Sequence, residues 1–138
     1  MTKPLIKVII PAYNEQDSIA NVINDIPKTV EEIIVINNNS TDKTVINAEN
    51  AGATVLTENR KGYGYACLKG MEYIENQAIL DPYHIPEIIV FLDGDYSDYP
   101  EQLTELIEPI INNNIDFVIG SRVKELREDG AMTPQQIF

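Results

Sequence analysis

Ile88-Ile89-Val90-Phe91-Leu92-Asp93-Gly94-Asp95 is the stretch on which the reading of this chain turns. An unbroken apolar run, rich in β-branched residues, predicts a strand buried on both faces, as in a parallel sheet. Asp93 and Asp95 then stand at its carboxyl end. Open α/β sheets bind ligands at that edge, because strand ends and helix amino ends converge there. Two acids one residue apart repel each other unless a positive charge lies between them, and an oxygen-preferring divalent cation meets that need. Gly94 has no Cβ, so an anion as bulky as a diphosphate can approach the backbone.

Other readings of the stretch stay open at this level. Asp-Gly is a common turn pair, and two acids at this spacing also suit general acid/base chemistry. An EF-hand loop is excluded. Counting from Asp93, the sixth position is Asp98 instead of glycine, the twelfth is Thr104 instead of glutamate, and a strand precedes where a helix is needed.

Outward from this stretch, strands and helices alternate. Lys7–Ile10 predicts a first strand, closed by Pro11, which cannot donate to a central ladder. After the loop Pro11-Ala12-Tyr13-Asn14-Glu15, the residues Ile19, Val22, Ile23 and Ile26 follow helical spacing, and Pro27 ends that helix. Ile33–Ile36 is the second strand. Three asparagines follow it, and Ser40 or Asp42 is placed to cap a helix carrying Val45 and Ala48 and stopping at Gly52. A short strand, Thr54–Thr57, leads through Glu58 to Gly64 into a helix with Ala66, Gly70 and Ile74 on one stripe, Cys67 and Met71 beside it. Asn76 to Pro86, polar and broken by Pro82 and Pro86, predicts a surface connection that carries His84, the single histidine, as an ordinary surface residue. Past the acid pair, Pro100 opens a helix with Leu103, Leu106, Ile107 and Ile110 inward, kinked or shortened at Pro109. Phe117–Gly120 is a fifth strand with Arg122 at its end. Such alternation implies right-handed βαβ units: an α/β fold, Rossmann-like, with a mostly parallel sheet sandwiched between helices.

A chain of 138 residues is expected to form one domain, 1–138, with a core of its own. Its net charge of −12 argues against nucleic acid as a partner and against adhesion to anionic lipid. Cys67, the single cysteine, allows no internal disulfide; it fits a reducing compartment such as the cytoplasm and reads as a small buried apolar side chain. No apolar run approaches the roughly 20 residues of a membrane-spanning helix, and no signal peptide is expected. Asp129 to Phe138 reads like the interior of a longer sequence, so the domain is expected to be truncated at its C-terminal end.

Neither standard phosphate cradle occurs: the first strand is not followed by G-x-G-x-x-G, and G-x-x-x-x-G-K-[ST] is absent. Dinucleotide dehydrogenases and P-loop enzymes are thereby disfavoured. What remains is a set of polar strand ends. Ile10-Pro-Ala-Tyr-Asn-Glu15, Glu32 to Asp42, Arg60-Lys-Gly-Tyr-Gly64, Phe91-Leu-Asp-Gly-Asp95 with Ser97, Asp98 and Pro100, and Ile119-Gly-Ser-Arg122 occur in that order. Together they resemble the family-2 glycosyltransferases of the A-type fold, and among them the polyprenyl-phosphate sugar transferases of the dolichyl-phosphate mannose synthase type. The resemblance runs from Val8 to about Phe138.

The resemblance implies roles. Pro11, Ala12 and Tyr13 would wall the base of a nucleoside diphosphate sugar, with Glu15 reaching the base or ribose, although a helix-capping acid is the plain alternative for Glu15. Asn38 stands where the family usually has the acid that reads the base edge, and Asn37 where it has the acid just before. Because an amide both donates and accepts, this departure leaves the choice between UDP- and GDP-linked sugars open. Asp93 and Asp95, the DXD motif around Gly94, would hold Mg²⁺ or Mn²⁺ on the diphosphate, while Lys61 and Arg122 would bring positive charge to phosphates. The implied reaction is metal-dependent, inverting transfer of a hexose, with a polyprenyl phosphate as acceptor at the cytoplasmic face of a membrane. An anionic phosphate acceptor needs no general base, whereas a soluble hydroxyl acceptor does. Two alternatives accompany this reading. A sugar nucleotidyltransferase would carry a glycine- and arginine-rich loop after the first strand; a binding domain without catalysis is compatible with Asn37 and Asn38.

Overall fold

The computed structural model describes residues 4–96, 100–105 and 107. Among them, four parallel strands make one sheet: β1 (Ile6–Ala12), β2 (Glu32–Asn37), β3 (Thr54–Thr57) and β4 (Ile88–Phe91), in the order β3-β2-β1-β4. The helices α1 (Ile19–Asp25), α2 (Thr44–Asn50) and α3 (Tyr63–Leu80) connect them. The chain winds one way from β1 to β3 and then returns to the other side of β1, so the strand order reverses between β1 and β4. In an open parallel sheet that reversal leaves a crevice at the carboxyl edge.

Side-chain alternation along the strands builds two cores. Val8, Ile10, Val35, Val90 and Leu92 point to one face and meet Ile19, Val22 and Ile23 of α1 and Ala48 of α2. Ile9, Ile34 and Ile36 point to the other and meet Ala66 and Ile74 of α3. α3 lies close because Gly70 faces β1: a Cβ there would come within 2.8 Å of Ile9 Cγ2. Past β4, a 3-10 turn at Pro100–Gln102 buries Pro100, and Leu103 and Ile107 join the first core.

Several local expectations are revised. Pro11 does not close β1, which continues to Ala12 and keeps its register with β2, Pro11 opposite Ile36. In a parallel ladder alternate residues bond to alternate neighbours. Ile9 bonds towards β4, accepting from the Leu92 N–H at 3.0 Å, so Pro11 also faces the β4 side, where pairing has already ended at Phe91. Its missing N–H therefore costs the sheet nothing. β4 is buried on one face only: Ile88 and Val90 are covered, but Ile89 and Phe91 are half-buried because α3 packs over β1 and β2 instead. Cys67 is half-buried.

α3 runs on to Leu80 through residues expected to form a surface connection. The reason is a polar anchor beneath it. Lys7, only 5% exposed, donates to Glu32 Oε1 at 3.0 Å and to Gln77 Oε1 at 2.8 Å. Tyr73 donates to Glu32 at 2.7 Å and accepts from Gln77. The helix tail is polar because it satisfies a buried lysine. Asp81 then caps a 3-10 turn, Pro82–His84, in which His84 is exposed and paired with Asp81. The expected fifth strand Phe117–Gly120, the helical positions Leu106, Pro109 and Ile110, and the site positions Ser97, Asp98 and Arg122 lie outside the described residues.

Candidate functional site

Four loops leave the carboxyl edge of the sheet, and hydrogen bonds tie them into one rim. The loops after β1 and β4 flank the crevice where the strand order reverses. They are joined by Ser18, whose hydroxyl donates to the Gly94 carbonyl at 2.6 Å. Gly94 is wedged in: a Cβ built on it would lie 3.4 Å from Glu15 Cγ, Ile10 Cγ2 and Ile19 Cδ1. The side where an open approach was expected is thus lined by protein atoms. Immediately past Asp95, Tyr96 holds the left-handed φ of +64°, and its hydroxyl donates to the Asp25 carboxylate at the end of α1.

Acidic charge gathers at this junction. Burial pushes the Glu15 carboxyl above its ordinary value, and the charges of Asp95, Asp93 and Asp42 push the same way against a bond from Ser18. Burial likewise raises the Cys67 thiol, with Asp93 adding to it. Glu15 therefore sits beside the aspartate pair.

The loops after β1 and β2 are stitched residue by residue. Asn14 N–H donates to Ser40 Oγ at 2.9 Å, and Asn14 Oδ1 accepts from Thr41 N–H at 2.8 Å. Glu15 N–H donates to Thr44 Oγ1 at 2.8 Å, and Asp42 accepts from Gln16 N–H. Asn14 at φ +50° and Asn39 at +68° make the left-handed turns this needs, a region asparagine enters at low cost. Neither expected residue is the N-cap of α2, which is Lys43 without a side-chain capping bond: Asp42, one residue earlier, takes the Thr44 N–H at 2.9 Å, and Ser40 serves Asn14. Bonds from Thr44 and from the Gln16 amide outweigh burial and hold the Asp42 carboxyl below its usual range.

Between the β2 and β3 ends, Asn37 accepts from Ser40 N–H at 3.0 Å through Oδ1. Asn38 donates through Nδ2 to the carbonyls of Glu58 and Arg60, both at 2.8 Å, and accepts from Gly62 N–H at 3.0 Å. Glu58 grips the Arg60 guanidinium at two points, 2.9 and 3.1 Å, and takes its N–H as well; these bonds hold the Glu58 carboxyl down at about 2. Arg60 also lies 4.4 Å over the Tyr65 ring. Lys61, next in sequence, is exposed. Ala12 is buried, Pro11 half-buried, and Tyr13 is an exposed aromatic, 59% accessible, on the rim.

Ser18, Thr44 and the Glu58–Arg60 pair were not singled out from the sequence. The last had a visible signal, an acid and a base two apart at a strand end; the first two are small hydroxyls whose partners lie 76 and 29 residues away.

The carboxylates are hard oxygen donors gathered where negative charge already presses on itself, which fits a divalent oxygen-preferring cation such as Mg²⁺ or Mn²⁺. Among the described residues, no three His, Cys, Asp or Glu side chains close on one point as a full protein cage would. Mg²⁺ asks for less, one or two carboxylates together with substrate phosphates.

A parallel α/β domain with acids at the switch in strand order belongs to the class that handles phosphorylated nucleotides. Comparison with known proteins narrows this. Residues 7–138 match the family model described as "Glycosyl transferase family 2", and the chain belongs to that family. It is 38% identical over 119 residues to Protein RfbJ of Shigella flexneri, covering 85% of this chain and 84% of that protein. It is 30% identical to the UDP-N-acetylglucosamine–dolichyl-phosphate N-acetylglucosaminyltransferase of Methanococcus voltae, covering 93% of this chain and 56% of that protein. A crystal structure of glucosyl-3-phosphoglycerate synthase from Mycobacterium tuberculosis, in complex with Mn²⁺, uridine diphosphate and glucosyl-3-phosphoglycerate, superposes with a TM-score of 0.65 at 29% identity, over 79% of this chain and 40% of that one. The chain thus spans 56% or less of the latter two relatives. The fold is that of the A-type glycosyltransferases, as the family resemblance implied. Among the described residues no helix is long and apolar enough to cross a membrane.

Proposed function

We propose that this domain binds a UDP- or GDP-linked hexose and takes part in its metal-dependent, inverting transfer to a polyprenyl phosphate at the cytoplasmic face of a membrane. The observation that carries the reading is the convergence of Asp93, Asp95 and Glu15 at the reversal of strand order. Pro11, Ala12 and Tyr13 wall the nucleoside, Tyr13 offering an exposed ring for the base. Asn37 and Asn38 border it, and Lys61 meets the phosphates. Asp93 and Asp95 hold the cation, with Gly94 fixing the turn between them; Arg122 is assigned a phosphate contact by its place in the family pattern alone. Bound there, Mg²⁺ or Mn²⁺ would act as a Lewis acid on the departing diphosphate.

The relative that uses dolichyl phosphate supports a lipid-phosphate acceptor. The neighbour crystallised with glucosyl-3-phosphoglycerate supports a second reading, a small soluble acceptor with a hydroxyl. Calorimetry with UDP-sugars and GDP-mannose in Mn²⁺ tests the site: Asp95→Ala should abolish binding seen with the parent chain, and unchanged affinity overturns the assignment. Release of nucleoside diphosphate in the presence of polyprenyl phosphate or of phosphoglyceric acid separates the two acceptors. Binding without release under either would favour a non-catalytic domain.

A further inference from the structure

We infer that Asn38 is a positioning residue, whose amide presents Lys61 to the diphosphate, and that an aspartate could not take its place. The inference rests on the proposed donor-binding role of this rim. The Asn38 side chain meets the loop after β3 at three points: Nδ2 donates to Glu58 O and to Arg60 O, and Oδ1 accepts from Gly62 N–H. The last two atoms belong to the residues on either side of Lys61. The amide therefore fixes the peptide groups before and after that lysine, while its ammonium remains exposed.

The chemistry is specific to an amide. Two N–H groups face two carbonyls and one carbonyl faces one N–H, which consumes both donors that an asparagine has. A carboxylate has no donors, so Asp at this position would set its charge against the carbonyls of Glu58 and Arg60 and keep only the bond from Gly62. Neighbouring groups point the same way. Asn39 Nδ2 donates to Asn59 O at 3.1 Å, and Glu58 N–H donates to Asn37 O, so the β2 end holds the loop along its length. Gly62 sits at φ +129°, a conformation other residues resist, and its N–H is delivered to Asn38 by that turn. Arg60, the nearest other cation, is also exposed but is engaged with Glu58 and stacked on Tyr65, which leaves Lys61 as the cation of this loop not committed to a carboxylate among the described residues. With both donors spent, Asn38 has no N–H left for a base edge, and its Oδ1, already accepting from Gly62 N–H, keeps one lone pair at most. Its contribution is to hold Lys61 where a phosphate can be met.

The test compares binding of UDP and GDP with binding of uridine and guanosine, all in Mn²⁺, by the 138-residue chain and its variants. Lys61→Met should weaken diphosphate binding about tenfold, the scale of one charge-assisted contact, and leave the nucleosides unchanged. Asn38→Asp should reproduce that selective loss, and the double variant should be no weaker than Lys61→Met alone. Losses that add, or an Asn38→Asp effect equally large on the nucleosides, would overturn the inference in favour of base reading. Hydrogen exchange on the ligand-free protein supplies a separate readout: the Glu58 amide, bonded to Asn37 O at the start of the loop whose carbonyls lose their donors, should exchange faster in Asn38→Asp and unchanged in Lys61→Met, and equal protection in all three would refute the strut. If Asn38→Asp does not fold, Gly62→Ala, which disturbs the same loop from the other side, should show the same selective diphosphate loss, and uniform loss counts against the idea. A parent chain that binds no nucleotide sinks the donor-binding reading, while the exchange experiment still decides whether Asn38 holds the loop.

Discussion

The Ser18 hydroxyl and the Gly94 carbonyl lie 2.6 Å apart, a bond that ties the residue preceding α1 to the middle of the Asp93–Asp95 turn. The two carboxylates are thereby referenced to a helix and not only to the end of their own strand. Ser18→Ala should cost about 1 kcal/mol of stability, the usual net worth of such a bond. On the proposed role of Asp93 and Asp95 as cation ligands, it should also raise the Mn²⁺ concentration that half-saturates nucleotide binding by about tenfold, because the two carboxylates lose a fixed geometry. Ser18→Thr keeps the hydroxyl and should restore most of both. A metal titration unchanged in Ser18→Ala would show that the turn holds its shape without the clamp.

Thr44 makes the corresponding junction between the first two loops. It is fully buried, its oxygen accepts the Glu15 N–H at 2.8 Å, and its hydroxyl donates to Asp42. Thr44→Val preserves volume but strands the Glu15 N–H, while Asp42 Oδ1 keeps the bond from the residue-44 N–H. The expected loss is about 1–3 kcal/mol in urea unfolding, since an unsatisfied buried donor costs its full desolvation. Thr44→Ser should recover the greater part. A valine variant as stable as the parent would mean that water serves the Glu15 amide instead.

Much of the fold was legible because its signals are local. The period of apolar residues in Ile19 to Ile26, the β-branched runs and the stop at Gly52 each announce an element without reference to the rest of the chain. What escaped was governed by partners distant in sequence. Gln77 looks like part of a polar connection until Lys7, 70 residues away, is seen to need it. Pro11 looks like a terminator until the β4 ladder is seen to have ended on its side of β1. The candidate site divides in the same way. Its acids were visible as a DXD spacing, but that Glu15 sits beside Asp93 and Asp95 depends on how α1 returns to β4.

Gly70 tests how tightly α3 rests on the sheet. A Cβ there would meet Ile9 at 2.8 and 2.9 Å, closer than packed carbons come, so helix or side chain must shift. Overpacking of this kind costs about 1–3 kcal/mol, offset by up to about 1 kcal/mol of better helix propensity for alanine. Gly70→Ala should therefore be net destabilising in denaturant unfolding. The loss should shrink when Ile9 is also cut to alanine, because the clash is with that side chain. Equal losses in both backgrounds would place the crowding elsewhere.

The acid end of the stability profile should carry the mark of Glu58. Its carboxyl titrates at about 2 in the folded chain against an ordinary 4.5, through the bonds and charge of Arg60. As pH falls, the unfolded chain takes up this proton first. The stabilisation is therefore complete above about pH 4.5 and is lost as pH falls towards about 2. Glu32 acts in the same direction: burial pushes its carboxyl up, but bonds from Tyr73, Thr54 and Lys7 prevail and lower it. Arg60→Met removes the guanidinium donors to Glu58, keeps the backbone N–H of residue 60 and leaves the bonds to Glu32, so urea unfolding across this range should show a shallower fall in the variant. Because the Arg60 side chain is 57% exposed, solvent and salt screen the pair, and the difference should narrow further at high ionic strength. A gap between parent and variant that stays constant from pH 7 to the acid limit would mean that Arg60 contributes through its stacking on Tyr65, and that the charge it brings to Glu58 adds nothing.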